Sequence, residues 1–154
     1  MSFLFGSQPL RFNHAVAALL TVQETGHYLM QLRDDKPGIF YPDHWGCFGG
    51  AVEPGEEPLE ALLRELDEEL ALKADGALYF TEMEFALEAF DQGRCWRKYY
   101  QLSIPARALA GLKLGEGRRM EAMAAEELLL GHKIVPYDSF AIWMHHAHGV
   151  WHKS

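Results

Sequence analysis

The sequence predicts an α+β or mixed fold in which a β-sheet is sandwiched between helices. Apolar runs of strand length come before and after one strongly amphipathic helical segment, and a second helical pattern lies near the end of the chain. This order of strands, helix, further strands and terminal helix is compatible with several sheet topologies. The pattern therefore gives the fold class and leaves the topology open.

Length and composition are those of an ordinary globular protein. The 154 residues, of which 49% are hydrophobic and 23% charged, predict a single domain over residues 1–154. The net charge of −8 argues against nucleic-acid binding, which needs a basic surface. No apolar run approaches the roughly 20 residues that span a bilayer, and the N-terminus has no signal-peptide pattern. We therefore expect no membrane partner and a cytoplasmic location, with Cys47 and Cys95 as reduced, packed thiols.

The first part of the chain predicts a β-hairpin and a short strand. Residues 14–22 and 26–33 are two apolar runs separated by a short polar turn. A loop over 34–38 and an aromatic segment lead to a predicted strand at 46–48. The pair Gly49 and Gly50 follows this strand directly. The aromatic residues Phe40, Tyr41 and Trp45 either stack on a base or pack in the core.

The amphipathic helix is predicted to begin at Pro58, because proline suits the first helical turn. Its apolar face follows the helical repeat through Leu59, Leu62, Leu63, Leu66 and Leu70. A left-handed cap at Ala71 would cost about 1–2 kcal/mol. We therefore expect the helix to continue past Leu72 and to end near Gly76.

The second half predicts a long antiparallel ribbon and two helices. Residues 78–90 and 94–104 are aromatic-rich strands joined by the turn Asp91-Gln92-Gly93, and Pro105 ends the second strand. Residues 106–114 are ambiguous between a loop and a short helical turn. The remaining predictions are a strand at 120–123 and helices at 125–130 and 137–147, the latter ended by Gly149.

Three carboxylates share one patch of the amphipathic helix. Glu65, Glu68 and Glu69 fall within about 100° of arc, where like charges repel one another. A solvated acidic helix face is one interpretation. The other is a site for a hard divalent cation, since Mg²⁺ and Mn²⁺ prefer oxygen ligands.

The surrounding residues favour the second interpretation. From Gly50 onward the sequence fits the pattern G-x5-E-x7-R-E-U-x-E-E-x-G-U, where U is aliphatic. The matching residues are Gly50, Glu56, Arg64, Glu65, Leu66, Glu68, Glu69 and Leu72, and only the late glycine is replaced, by Ala71. Six fixed matches arise by chance about once in 10⁷ starting points. The pattern is the Nudix box, and the chain resembles a Nudix hydrolase.

This resemblance implies a Nudix-like α/β/α sandwich with a mixed β-sheet between helices, and hydrolysis of a diphosphate bond. The substrate would be a nucleoside triphosphate or a nucleoside diphosphate linked to another group, and the cofactor Mg²⁺ or Mn²⁺. The implied metal ligands are the Gly49 carbonyl and the carboxylates of Glu65, Glu68 and Glu69, with Glu68 or Glu69 as the base. The implied supporting residues are Arg64, which orients the carboxylates, Glu56, which pairs with Arg64, and Gly50, which lets the loop pass close to the helix. The segment Leu114-Gly115-Glu116-Gly117 is similar to a loop that supplies a further metal-binding carboxylate in some members, so Glu116 is either such a ligand or an ordinary turn residue.

Several alternatives stay open. Glu121, Glu126 and Glu127 are weaker ligand candidates, better explained as surface or helix N-terminal charges. Trp143 and Trp151 are predicted core or dimer-contact residues, and a homodimer is compatible with the resemblance. The C-terminal histidines lack a recognised metal-site spacing and are expected at a polar helix end: His145, His146, His148 and His152. A nucleotide-binding regulatory module without turnover is the alternative function, against which the intact Nudix-box carboxylates argue. Phe48, where many members have proline, and Ala71 leave the subfamily and the substrate open.

Overall fold

The computed structural model describes residues 11–152, so the N-terminal stretch for which no signal peptide is expected lies mostly outside it. Seven strands form one mixed sheet in the order β3-β2-β1-β6-β5, with β4 paired to β1 and β7 paired to β2. The strands are β1 (Ala15–Val22), β2 (Tyr28–Leu32), β3 (Trp45–Gly46), β4 (Gly49–Ala51), β5 (Leu78–Ala86), β6 (Arg94–Ile104) and β7 (Arg119–Met123). The helices are α1 (Pro58–Leu70), α2 (Ala125–Gly131) and α3 (Pro136–Trp151), with 3₁₀ turns at Glu88–Phe90 and Ala106–Gly111.

The sheet is covered on both faces, which confirms the predicted sandwich. Along β1, Ala17 and Leu19 face a core that includes residues of α2 and α3. Val16 and Leu20 point to the opposite face, where they pack with the buried leucines of α1. This alternation follows from the two-residue repeat of a strand. Strand β1 pairs in parallel with β6 from Ala15 to Val22, whereas the other named strand pairs are antiparallel.

Both hairpins are confirmed, with changes at their ends. Strands β1 and β2 pair antiparallel, as do β5 and β6. Strand β5 ends at Ala86, four residues before the predicted end, because the chain turns there: Asp91 takes a left-handed conformation and its N–H donates to the Glu88 carbonyl. The bounds predicted for the strand at 46–48 are wrong, because β3 ends at Gly46 and β4 begins at Gly49. Phe48, between them, accepts a hydrogen bond from the Ala18 N–H.

The predicted continuation of α1 to Gly76 is wrong. The helix ends at Leu70, and Ala71 takes the left-handed conformation with φ 53° and ψ 32°. The N–H groups of Lys113 and Gly115 donate to the carbonyls of Leu70 and Glu69, at 2.9 and 2.7 Å. These long-range bonds satisfy carbonyls that would otherwise lack partners at a helix end. They offset the cost of a non-glycine residue in this conformation.

The end predicted for α3 is also wrong, because the helix continues through Gly149 to Trp151. One glycine costs a helix only about 1 kcal/mol relative to alanine, so it need not end the helix. The ambiguous segment after Pro105 forms a 3₁₀ turn, and α2 extends to Gly131. Among the described helices, none is both long enough and apolar enough to cross a membrane.

Candidate active site

Four of the predicted carboxylates line one cavity of about 390 Å³ at the C-terminal half of α1. They are Glu65, Glu68, Glu69 and Glu116. The wall of the cavity also contains the glycine pair at 49–50 and two cationic side chains, Arg33 and Lys36. The structure therefore places acidic groups and potential phosphate-binding cations around the same space.

Glu69 is the most deeply buried of the four, with 5% of its surface exposed. Its two carboxylate oxygens accept hydrogen bonds from the Gly49 N–H at 2.8 Å and from Gln31 Nε2 at 3.2 Å. Burial raises the pKa of Glu69 to about 7, against the opposing effect of these two bonds, and the neighbouring Glu65 and Glu116 raise it further. Sequence reasoning missed Gln31, although an amide within the apolar strand YLMQL is a detectable signal.

The glycine pair is required by close contacts with β1 and α1. Gly49 has φ +146°, and a Cβ there would lie 2.1 Å from the Val16 carbonyl oxygen. A Cβ at Gly50 would lie 2.5 Å from the carboxylate of Glu65. The loop thus packs directly against Glu65, whose pKa burial raises. No larger residue fits either position without displacing the backbone or the carboxylate.

Arg64 organises the acidic face through a bidentate pair with Glu56. Its Nε and Nη2 donate to the Glu56 carboxylate at 2.8 and 3.0 Å. Its Nη1 donates to Glu65 at 2.8 Å and to Glu68 at 3.4 Å, and Nη2 also reaches the Ala51 carbonyl. The hydrogen bond from Arg64 lowers the pKa of Glu56 to about 2. The guanidinium therefore joins the loop before α1 to the carboxylates on the helix.

Glu116 reaches the cavity because glycines flank it. Gly115 lies against α1, where an added Cβ would be 2.5 Å from the Glu68 carbonyl oxygen. Gly117 has φ +82° and passes close to Gln31 and to the backbone of Leu32. The other acidic candidates do not line this cavity: Glu121 pairs with Arg119, Glu126 pairs with His146, and Glu127 is an exposed residue of α2.

The four carboxylates of the cavity fit a hard divalent cation, since such ions prefer oxygen ligands. In their present arrangement, however, no three His, Cys, Asp or Glu side chains within residues 11–152 converge closely enough to hold an ion. The carboxylates of Glu65 and Glu68 face Arg64, and that of Glu69 faces the Gly49 amide. The cavity thus has the ligand types that suit the ion, while the side chains do not converge on one point.

A second cavity, of about 240 Å³, shares Arg33, Gly49 and Gly50 with the first. Its aromatic lining consists of Phe12, Phe40, Phe85, Trp96 and Tyr137. The sequence singled out Phe40 for base stacking or core packing, and Phe40 lines this cavity, whereas Trp45 is buried in the core. The other aromatic residues were missed because they come from distant parts of the chain. The two cavities meet at the glycine pair.

Asp138 forms the buried base of the second cavity. It is 1% exposed, and its carboxylate accepts hydrogen bonds from the Cys47 N–H at 2.9 Å, Tyr99 Oη at 2.8 Å and Arg97 Nε at 3.1 Å. Arg97 also lies over the ring of Tyr137, 5.0 Å from its centre. Asp138 thereby fixes the segment that leads from β3 to Gly49. Burial raises the pKa of the Cys47 thiol, and both cysteines are free and buried, as predicted.

The C-terminal histidines lie outside both cavities. His145 bonds to Tyr28 Oη at 2.6 Å and to Gln101 Oε1 at 3.0 Å, and burial lowers its pKa. His146 pairs with Glu126, and the rings of His148 and His152 are 4.2 Å apart. These contacts agree with the expected polar end of a packed helix.

Comparison with known proteins identifies the family. The family model for the NUDIX domain matches residues 11–141, so the chain belongs to the Nudix family. The curated relatives include the nucleoside triphosphatase NudI of Salmonella agona (strain SL483) and that of Escherichia coli (strain K12 / DH10B). Each is 49% identical over 49 residues, which are 32% of this chain and 34% of the relative. The match therefore spans about a third of the length of these relatives.

Solved structures resemble the fold over most of the chain. The MutT protein from Methanosarcina mazei Go1 has a TM-score of 0.69 at 19% identity, with 90% of this chain and 94% of that chain covered. The Escherichia coli dihydroneopterin triphosphate pyrophosphohydrolase has a TM-score of 0.67 at 19% identity, with 88% and 95% covered. The NUDIX domain of Shewanella oneidensis NrtR, complexed with ADP ribose, has a TM-score of 0.70 at 14% identity, with 92% and 90% covered. At these identities the likeness concerns the fold alone.

Proposed function

We propose that the protein is a pyrophosphohydrolase that uses Mg²⁺ or Mn²⁺ to cleave a diphosphate bond. The substrate is a nucleoside triphosphate or a nucleoside diphosphate linked to another group. One observation carries the proposal: the carboxylate-lined cavity and the aromatic-lined cavity share the wall formed by Gly49, Gly50 and Arg33. A nucleotide can therefore place its phosphates in the first cavity and its base in the second.

Each residue of the carboxylate cavity has a separate role in this proposal. Glu65, Glu68, Glu69 and Glu116 hold the cation together with the Gly49 carbonyl. A bound divalent ion neutralises phosphate charge and lowers the pKa of coordinated water. Glu68 or Glu69 accepts the proton of the attacking water, and Arg64, braced by Glu56, keeps the carboxylates in place. Arg33 and Lys36, the latter paired with Asp34, line the same cavity and bind the phosphate chain.

The test is a product-resolved screen over nucleoside triphosphates, nucleotide sugars, dinucleoside polyphosphates and ADP-ribose, with either metal. Glu68→Gln and Glu69→Gln should each lower kcat by about 10²-fold or more, because each removes a charged ligand or base. Glu121→Gln is the matched control: it makes the same charge change outside the cavity and should leave kcat unchanged. Full metal-dependent activity in folded Glu68→Gln and Glu69→Gln would overturn the assignment.

A nucleotide-binding module without turnover is the second candidate, because binding alone needs only the two adjoining cavities, and the NrtR domain of similar fold is complexed with ADP ribose. The same screen separates the two functions. Tight binding of a nucleotide without product release, with Mg²⁺ and with Mn²⁺, supports the binding module. Product formation that depends on the metal supports the enzyme.

A further inference from the structure

The floor of the aromatic cavity contains a guanidinium group with one unused nitrogen. The Nε and Nη2 atoms of Arg97 donate to the Asp138 carboxylate, and Nε also donates to Tyr99 Oη. Nη1 has no hydrogen-bond partner among residues 11–152. In that part of the chain no fully buried side-chain nitrogen lacks a partner, so Nη1 can be reached from the cavity that Arg97 lines. A cationic N–H donor is therefore available to a ligand at this floor.

The neighbouring carboxylate has no acceptor position left for a ligand. Asp138 accepts four hydrogen bonds, from the Cys47 N–H, Tyr99 Oη, and Nε and Nη2 of Arg97. A carboxylate has about four lone-pair positions, so these bonds fill it. The Tyr137 hydroxyl, which also lines the cavity, can either donate or accept and does not discriminate. The charged groups at the floor thus offer a donor and no free acceptor.

The charge of the floor favours a carbonyl oxygen over an anion as the acceptor. Asp138 balances the charge of Arg97, with Nε and Oδ1 3.1 Å apart. A phosphate or carboxylate bound at Nη1 would lie near the Asp138 carboxylate and be repelled by it. A carbonyl oxygen accepts the hydrogen bond without adding a second negative charge to a largely buried site.

Strand order places Arg97 at the side of the cavity away from the glycine pair. Ala15 in β1 pairs with Ala51 of β4 on one side and with Arg97 of β6 on the other. Neighbouring strands are about 4.8 Å apart, so the backbone of Arg97 lies roughly 10 Å from that of β4. The carboxylate cavity adjoins at Gly49 and Gly50. A base whose phosphates lie in that cavity therefore directs its far edge, opposite the sugar, towards Arg97.

The far edge of a base carries the substituent at position 6 of a purine or position 4 of a pyrimidine. We infer that Arg97 is a specificity-determining residue that selects nucleotides with an oxo group at this position, through a hydrogen bond from Nη1 to the carbonyl oxygen. Adenine and cytosine carry an amino group there, which is itself a donor and leaves Nη1 without an acceptor. The inference deepens the proposed function and rests on it, because it takes the aromatic cavity as the base site.

Two matched pairs of nucleotides test the selection. Inosine and adenosine triphosphates differ at position 6, and uridine and cytidine triphosphates differ at position 4. We expect kcat/KM with Mg²⁺ to be about tenfold or more higher for the inosine and uridine compounds. Binding of the four corresponding monophosphates, which contain no diphosphate bond, should follow the same order in isothermal titration calorimetry.

Two arginine variants test the role of Arg97. Arg97→Lys keeps a positive charge beside Asp138 but removes Nη1, and it should reduce both ratios to about threefold or less. Arg94→Lys is the matched control, because Arg94 lies in the same strand, lines neither cavity and should keep the wild-type ratios. A purely structural role of Arg97 would lower turnover of both members of a pair alike and leave the ratios unchanged.

The outcomes separate this inference from the proposed function. Metal-dependent cleavage of all four triphosphates at similar kcat/KM overturns the inference and supports the hydrolase. Selective binding of the inosine and uridine monophosphates, without cleavage of any triphosphate, supports the inference and overturns the hydrolase. Wild-type ratios in a folded Arg97→Lys variant overturn the assignment to Arg97. The wild-type ratios decide the base selection even if circular dichroism shows that Arg97→Lys does not fold.

Discussion

At the scale of single residues, the carboxylate cavity contains one acidic side chain, that of Glu69, which is almost out of contact with water. This residue lies beside Glu65 and Glu116, and among residues 11–152 its oxygens accept hydrogen bonds from two neutral groups, the Gly49 N–H and Gln31 Nε2. Burying a carboxylate without a cationic partner is costly. The site therefore favours a proton or a cation at this position. When neither is bound, the buried negative charge lowers the free energy of unfolding.

The first prediction concerns this cost in the metal-free protein. The folded-state pKa of Glu69 is about 7 and its ordinary value is 4.5, so the folded state binds the proton more tightly than the unfolded chain. The resulting stabilisation is fully present below about pH 4.5 and is lost as the pH rises through 7. Between pH 5 and 8 the free energy of unfolding of the wild type should fall by about 2–3 kcal/mol relative to Glu69→Gln.

Urea denaturation in the presence of a chelator measures this difference. Glu68→Gln makes the same charge change at a side chain that is 60% exposed, and it should keep the wild-type pH dependence because Glu69 is still present. Parallel pH profiles for the wild type and Glu69→Gln would contradict the prediction.

At the scale of elements, the start of α1 was predictable and its end was not. Pro58 indicates the first turn through local chemistry alone, and the helix begins there. The end depends on Lys113 and Gly115, more than 40 residues further along the chain, whose N–H groups reach the last helical carbonyls. The residues near the end of α1 contain no sign of these distant donors. The cost of a left-handed Ala71 therefore led to the prediction of a longer helix. The same limit applies to β5, which ends where the turn at 87–92 forms its own hydrogen bonds.

The second prediction follows from the left-handed conformation of Ala71. Ala71→Gly should raise the free energy of unfolding by about 0.5–1 kcal/mol, because glycine adopts this conformation without the steric penalty of a Cβ. The midpoint of urea denaturation measures the change. Ala61→Gly, in the buried interior of the same helix, is the control and should lower stability. A destabilised Ala71→Gly variant would mean that the Cβ makes contacts worth more than the strain.

At the scale of the whole molecule, the two cavities differ in how far the sequence revealed them. The carboxylates of α1 lie within one short motif, so their spacing alone indicated a shared face. The aromatic cavity draws its lining from β5, β6, α3 and the segments before β1 and β3. No local pattern joins Phe12 to Tyr137, and only the strand order brings them together. Asp138 was missed for the same reason, since its donors come from β6 and from the segment after β3.

The third prediction is that Asp138 is a principal link between α3 and the sheet. Its carboxylate balances Arg97, whose side chain is 15% exposed, so removing the negative charge leaves a nearly buried cation without its partner. Such losses typically cost about 3–5 kcal/mol, and we expect Asp138→Asn to lower the free energy of unfolding by an amount near this range. Glu84→Gln breaks an exposed ion pair with Arg94 and should cost less than about 1 kcal/mol.

In the double variant Asp138→Asn/Arg97→Met the loss should be smaller than the sum of the two single losses, because no unpaired charge remains. Additive losses would show that Asp138 acts through the Cys47 and Tyr99 hydrogen bonds alone, and that Arg97 is neutralised from elsewhere.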